Sequence, residues 1–470
     1  MPRKSAISDM VRTFLFAVSI PLLAACNPEQ HLAWSPDGKV LAVIGTDGLR
    51  ISTNGGTKLS EPIDASAGLL SWFGDSKRLL VVSGTNAQNW SDVQKKIDKS
   101  ELDKIKTCAK QLKDALEKCD GNFTRCREML KQTGITADYI PEALHYLRTT
   151  DDAVMTKMLG NSWQSLKLAE TQVVSLQIGE LSKNSLELKE PIFNTSKKLE
   201  SAKVSPTNEY ISVVDTDRNL RIFGVEQREK GWRALSKVVT TLPDWDANTN
   251  VLYVVRQKTI PGEPKNEMQE LVALKIDYKK EAQIAYEHLA NVHNSNQKLR
   301  ATASGDIYLM ASDVGFAALK KSKGYSPVGL YNFNLASAKA RKLYSPSTNE
   351  GISSFEVSPD GKFIAISSNS GLVKILSSKD GKVRSTVAQQ VKGAGVIYAP
   401  VWRNNDELCF QHVFPNKNTS RLELYSLETS TTKELSANWP SKAIVGILNE
   451  TESSSMSLDD MMNELRTGKP

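Results

Sequence analysis

The sequence predicts an all-β fold: a β-propeller of seven blades, with six to eight compatible with the pattern, and an α-helical subdomain inserted in the second blade. Three observations predict it. A short unit of strand, tight turn and strand recurs along the chain. A third strand, and often a fourth, follows most copies. One stretch of helical periodicity interrupts the series between the second and third copies.

The repeat is plainest when Leu32 to Gly45 (LAWSPDGKVLAVIG) is laid over Leu70 to Ser83 (LSWFGDSKRLLVVS). Each reads as an apolar strand ending at a tryptophan, a polar corner and a second apolar strand. The corner has a mechanism: Pro36 fixes φ, Asp37 bonds its own backbone, and Gly38 accepts positive φ. Further copies start near Val204, Trp245, Thr302, Val357 and Trp402, which makes seven. Third strands follow as GLRIS from Gly48, NLRIF from Asn219, LVKIL from Leu372 and RLELYSL from Arg421. Four strands per unit describe a propeller blade, and an open pair of β-sandwiches is the rival arrangement. A strand at Ala443 to Leu448 (AIVGIL) is a candidate latch or the start of an eighth blade, so ring closure stays open.

The SPDGK turn at Ser35 to Lys39 and again at Ser358 to Lys362 resembles that of the WD40-like, TolB-type propeller family. The resemblance covers Gln30 to Leu448 apart from the insertion. It implies the fold and, more loosely, a role in envelope assembly; the helical insertion departs from the pattern and leaves the partner unnamed.

Within the insertion, residues 91–164, Leu102, Ile105, Ala109, Leu112, Leu116 and Cys119 recur at three- and four-residue steps and share one helix face. Asp120-Gly121 then breaks the helix, and further helices are predicted from Asn122, around Pro141 to Arg148 and around Asp152 to Leu159. Two readings stand. The stripe packs on its neighbours and the propeller edge, or the subdomain is a partner-binding arm that leaves some of Met129, Tyr139, Tyr146, Met155 and Met158 exposed. Cys119 and Cys126 flank the break at an offset that makes them a candidate disulfide, with Cys108 farther down the helix and Cys409 in an apolar strand.

At the amino end, Leu23-Ala24-Ala25-Cys26 follows an apolar run and a basic segment with Arg3, Lys4 and Arg12. The run is too short to span a bilayer and has the anatomy of a secretory signal. It resembles a bacterial lipobox, which implies cleavage before Cys26, diacylglycerol on its thiol and an acyl chain such as palmitate on its amine. Asn27 is not the acidic residue that such sorting uses for inner-membrane retention, so the periplasmic face of the outer membrane is expected. The expected organisation is a signal peptide over 1–25, propeller over 26–90, the helical insertion over 91–164, propeller again over 165–448, and a linker with a short amphipathic helix over 449–470. In that last helix Leu458, Met461, Met462 and Leu465 recur on one face, a second candidate docking element.

Charge excludes one class of partner. The chain has 60 basic and 53 acidic residues; without Arg3, Lys4, Arg12 and Asp9 of the leader it has 57 and 52. A surplus this small and this dispersed gives no footprint for nucleic acid. No nucleophile elbow, zinc-binding HExxH, Walker loop or dinucleotide fingerprint occurs, and the five histidines form no constellation, so no catalytic residue, metal ligand or cofactor is assigned. The expected function is a membrane-anchored periplasmic scaffold that binds an envelope protein. The alternative is a propeller enzyme, or a sugar or peptide sensor, that uses the central channel.

Overall fold

The computed structural model describes residues 31–118, 139–159, 164, 170–183, 185–226, 233–234, 239–258, 268–277, 283–295, 297–315, 328–347, 351–368, 372–388, 397–414 and 419–440. They form seven antiparallel sheets taken in chain order. Blade 1 is β1 (Leu32–Trp34), β2 (Leu41–Gly45) and β3 (Gly48–Ser52), with a bridge from Leu49 to Asp64 beyond it. Blade 2 is β4 (Ala67–Trp72), β5 (Arg78–Ala87), β6 (Thr171–Ser182) and β7 (Ser185–Leu188), with β8 (Phe193–Thr195) also paired to β6. Blade 3 holds β9 (Leu199–Val204), β10 (Tyr210–Asp215), β11 (Leu220–Gly224) and β12 (Arg233–Ala234).

Blade 4 is β13 (Asp244–Trp245), β14 (Val251–Gln257), β15 (Met268–Asp277) and β16 (Gln283–His293), edged by β19 (Asp313–Gly315). Blade 5 comprises β17 (Leu299–Ala301), β18 (Asp306–Ala311), β20 (Gly329–Asn334) and β21 (Lys339–Tyr344). In blade 6, β22 (Ile352–Val357), β23 (Phe363–Ser368), β24 (Val373–Ser377) and β25 (Val383–Ala388) follow one another. Blade 7 is β26 (Ile397–Trp402), β27 (Glu407–Phe414), β28 (Thr419–Ser426) and β29 (Thr431–Glu434).

Period-two alternation sends neighbouring side chains to opposite faces of each sheet, and each face packs on a neighbouring blade. Val43 and Leu41 of β2 meet Cys409, Leu422 and Leu424 of blade 7, while Ala42 and Ile44 meet Leu70, Leu79 and Val81 of blade 2. An apolar cluster of this kind fills each of the seven interfaces, including the one between blades 7 and 1. The ring is therefore closed, and the sandwich alternative falls. Each fully buried Leu, Val or Ile contributes about 1.5–3 kcal/mol.

The turns after the innermost strands work as read. Ser35 Oγ donates to Asp37 Oδ1 at 2.6 Å and accepts from Val40 N at 2.9 Å; Ser358 repeats both bonds with Asp360 and Phe363. Gly38, Gly305 and Gly361 have φ of 68°, 77° and 72°, and the same corner is held at positive φ by Ser76 and Asn208 in blades 2 and 3. The turns also link blade to blade. Asp37 N donates to Ser76 Oγ at 3.1 Å, Gly74 N to Asn208 Oδ1 at 2.7 Å, and Asp360 N to Asn405 Oδ1 at 2.9 Å.

Blades 7 and 1 are joined by side chains, since each takes its described strands from its own stretch of chain. Arg403 Nε donates to Gly38 O at 2.9 Å, and its guanidinium lies 4.8 Å from the Trp34 ring. After a 3-10 turn at Ser436–Asn438, Trp439 Nε1 donates to Gly56 O at 2.8 Å. Ala443 to Leu448 lies outside the described residues, as do Leu458, Met461, Met462 and Leu465 and the lipobox Leu23, Ala24, Ala25 and Cys26.

Between β5 and β6 the described residues form α1 (Trp90–Lys96), α2 (Lys99–Lys118), α3 (Ile140–Thr150) and α4 (Asp152–Leu159). Leu102, Ile105, Ala109 and Leu112 of the predicted stripe pack on Trp90, Val93, Ile140, Ala143 and Leu147, and on Ala87 and Val173 of the strands that carry the insertion. The arm reading requires a correction here. Tyr139 and Met155 are core residues, 7% and 0% exposed, because the apolar faces of α2, α3 and α4 close on one another in a single cluster. Tyr146 is half-buried against Trp90, ring centroids 5.2 Å apart. Met129, Cys119, Cys126 and the Met158 side chain lie outside the described residues. Cys108 and Cys409 are buried, and burial pushes the Cys409 thiol up to about 12.

Candidate functional site in the central channel

The innermost strands end at equivalent points: Trp34, Trp72, Val204, Trp245, Ala301, Val357 and Trp402. The residue before each is half-buried on the innermost strand of its blade, and Ala33 and Val401 pack on the clusters toward the following blade. Around the ring from blade 1 these are Ala33, Ser71, Lys203, Asp244, Arg300, Glu356 and Val401. Four adjacent blades thus bear charge at one level, and the other three bear small or apolar side chains.

The charges are tied together across the blades. Lys203 Nζ donates to Asp244 Oδ1 at 2.7 Å, and Asp244 Oδ2 accepts from Ala301 N at 3.1 Å. Arg300 holds Glu356 bidentately, Nε to Oε1 at 2.6 Å and Nη2 to Oε2 at 2.8 Å; the buried Lys298 adds its Nζ to Oε2 at 3.1 Å. The arc therefore holds three cations and two carboxylates. Burial pushes the Glu356 carboxyl upward, but Arg300 and Lys298 outweigh it and hold the group at about 2. Burial and the neighbouring Arg300 charge push the Lys203 ammonium down, with Asp244 opposing them. These side chains are crowded by protein, yet 15–19% exposed for Lys203, Asp244, Arg300 and Glu356.

The next position along each strand points back to the preceding blade. Trp72 Nε1 donates to Ala33 O at 3.1 Å, Trp245 Nε1 to Lys203 O at 3.2 Å, and Trp402 Nε1 to Glu356 O at 3.2 Å. These bonds anchor the backbone under the channel residues. In blade 2, Ser71 Oγ accepts from Val204 N at 3.2 Å.

A second polar cluster clamps the insertion to the ring. Glu101, in the first turn of α2, accepts at Oε1 from Thr195 Oγ1, Ser196 N and Ser196 Oγ at 3.1, 3.0 and 2.6 Å. Lys197 Nζ lies 3.5 Å from both Glu142 of α3 and Asp217 of blade 3, and 4.2 Å from the Tyr139 ring centre. His145 Nδ1 accepts from Thr171 N at 3.0 Å, and burial pushes this imidazole down to about 4. Tyr139 thus serves as a cation-binding ring inside the clamp.

Among the described residues no group of three His, Cys, Asp or Glu side chains is placed to hold a metal ion, and no helix is long and apolar enough to cross a membrane. Sequence reading missed the channel arc, because its members become neighbours only when strands 41 to 58 residues apart stand side by side.

No family model matches the chain, and no curated protein matches it. Among solved structures it is similar to the Myceliophteria thermophila Cps50 (Swd1) β-propeller domain, at 11% identity and a TM-score of 0.44, over 85% of this chain and 97% of that one. It is also similar to an oligogalacturonate lyase in complex with manganese, at 11% identity and a TM-score of 0.38, over 55% of this chain and 70% of that one.

Proposed function

We propose that the protein is a lipid-anchored scaffold of the bacterial envelope, held by Cys26 at the periplasmic face of the outer membrane and binding another envelope protein. The observation that carries the scaffold reading is the clamp at Glu101, Lys197 and Glu142, which holds the helical insertion against the ring as a fixed surface. A preorganised surface loses little freedom on association, which favours binding. The exposed outer side of α2, with Asp103, Thr107 and Lys110, is the face offered. The anchor reading rests on the lipobox alone, and three acyl chains bind far more firmly than one.

Two measurements test the reading. Fatty-acid labelling of the full-length chain should mark the parent and not Cys26→Ser, and the variant should leave the membrane fraction. A photo-crosslinker placed at Asp103, Thr107 or Lys110 should capture one envelope protein, which Glu101→Ala loses while the ring stays folded. Equal labelling of Cys26→Ser removes the anchor; absence of a common adduct from all three positions removes the scaffold.

A further inference from the structure

We infer that the protein partner of the insertion is embedded in the same membrane that holds Cys26, because the lipid tether and the insertion leave the ring on one face. The inference rests on the anchored-scaffold reading and names the class of its partner. Each innermost strand runs from an entry face of the ring to the opposite face, where the turns with Gly38, Gly305 and Gly361 lie. The innermost strand of blade 1 enters after His31, whose ring donates to the Gly68 carbonyl at the start of blade 2. Cys26 lies five residues before His31, so its acyl chains are held within about 17 Å of the middle of the entry face. Crossing a blade from its innermost to its outermost strand alone takes about 14 Å, at about 4.8 Å per strand. The tether is therefore too short to carry the chain past the rim, and the entry face meets the bilayer.

The insertion stands on that same face. Ala67, where β4 starts, pairs with Ser83, while β5 and β6 run on past it with Gly84 to Ala87 paired to Val174 to Thr171. At about 3.3 Å per residue this ribbon carries the helices about 10 Å beyond the face. The clamp agrees. Glu101 is held by Thr195 and Ser196, which lead into β9, and Lys197 reaches Asp217 in the turn after β10, beside the start of β9. At about 100° per residue, Asp103 and Lys110 lie about 200° and 180° round α2 from Glu101, so this exposed stripe is turned away from the ring and toward the bilayer. The tether's length less the ribbon's leaves a gap of about 7 Å. One helix with its side chains is about 10 Å across, so no folded soluble protein fits there. What meets the stripe rises from the bilayer, as the solvent-facing edge of an embedded protein does. Lys99, Lys106 and Lys110 outnumber Asp103 on this side of α2, and the edge they fit is acidic.

The test uses the full-length chain, with its acylation read from the intact mass. The protein is reconstituted in vesicles of phosphatidylethanolamine and phosphatidylglycerol that carry a nitroxide on the headgroup. A fluorescent amino acid at Lys110 should lose most of its emission, and one at Lys39 or Lys362, both exposed on the turn face, should keep it. A photo-crosslinker at Asp103 or Lys110 in intact cells should then capture a membrane-spanning protein, identified by mass spectrometry. Equal or reversed quenching in the acylated protein overturns the orientation and leaves the anchor standing. Capture of a soluble protein, or of phospholipid alone, overturns the partner class. A chain without acyl mass removes the anchor, and this inference with it.

Discussion

Blades 3 to 6 and blades 7, 1 and 2 build one ring from the same backbone with equivalent strand ends, and each arc has a tryptophan anchor, under Lys203 and Glu356 in the first and under Ala33 in the second. They differ in the side chain set one residue before that end: Lys203, Asp244, Arg300 and Glu356 on one arc, Val401, Ala33 and Ser71 on the other. The ring tolerates both. What holds it together lies deeper between the sheets, in the seven apolar clusters, and the channel level is free to vary for other reasons. The two arcs should accordingly respond very differently to substitution.

The largest contrast comes from unbalancing the charged arc. Glu356→Gln removes the carboxylate that Lys298 and Arg300 share, and the loss of that charged partner should cost about 3–5 kcal/mol. On the neutral arc, Ser71→Ala removes one acceptor from Val204 N and should cost about 1 kcal/mol. Urea denaturation of the two variants reads this directly, and equal midpoints would break the distinction between the arcs.

Acid separates the arcs next. Glu356 is held near 2 against an ordinary value of 4.5, so its stabilising contribution is full above pH 4.5 and is lost as pH falls towards 2. The slope is at most about 1.4 kcal/mol per pH unit. On the neutral arc His31, beside β1, is pushed by burial to about 4 from 6.5, with the Gly68 carbonyl opposing. A neutral imidazole of this kind stabilises fully above pH 6.5 and loses that contribution on acidification to pH 4, because the unfolded chain takes up the proton first. His145 in the insertion titrates in the same window for the same reason. Thermal melts from pH 7 to 3 should show two steps. Glu356→Gln should remove the lower one, and His31→Gln with His145→Gln the upper.

Much of the fold was legible in the sequence because its signals are local. Ser35-Pro36-Asp37-Gly38 states a turn within four residues, and alternation in Leu41 to Gly45 states a strand within five. The match faded where Ser76 and Asn208 occupy the left-handed corner in place of glycine, although their backbone does the same work. The channel was less legible. A tryptophan marks the register before Trp34, Trp72, Trp245 and Trp402, but Lys203, Arg300 and Glu356 precede Val204, Ala301 and Val357, which carry no such mark. The arm reading could not single out Tyr139 and Met155 as buried for a related reason: helical periodicity gives the apolar side of each helix but not the neighbour that covers it, here the other helices and the extended β5 and β6.

A gentler intervention asks whether the arc's charges serve stability at all. The double variant Lys203→Met with Asp244→Asn removes one cation and one anion together, and Asn retains an acceptor for Ala301 N. Its stability should fall within about 1 kcal/mol of the parent, and the double-mutant cycle should show strong coupling between the two sites. A loss close to that of Glu356→Gln would mean that the arc is structural, and the channel would lose its claim as a binding site.

The smallest effect distinguishes blades that follow one another from the pair that closes the ring. Trp245 donates to the Lys203 carbonyl, so Trp245→Phe should cost about 1 kcal/mol for the lost bond beyond any loss of packing. Trp34 holds the corresponding place at the closure, but its buried Nε1 is turned to the Cys409 thiol and not to a carbonyl of blade 7, and its ring lies under Arg403. Trp34→Phe gives up a contact to sulfur, a weak acceptor, in place of a carbonyl bond, so it should cost less than Trp245→Phe when the two are compared by urea midpoint. The closure would then rest on Arg403, Trp439 and the cluster around Leu41, Val43 and Leu424, and not on the tryptophan bond that joins blades 1 to 2, 3 to 4 and 6 to 7. Were Trp34→Phe the costlier change, the closure would depend on the Trp34 ring more than its contacts indicate, and the anchor would have to be regarded as equivalent all round.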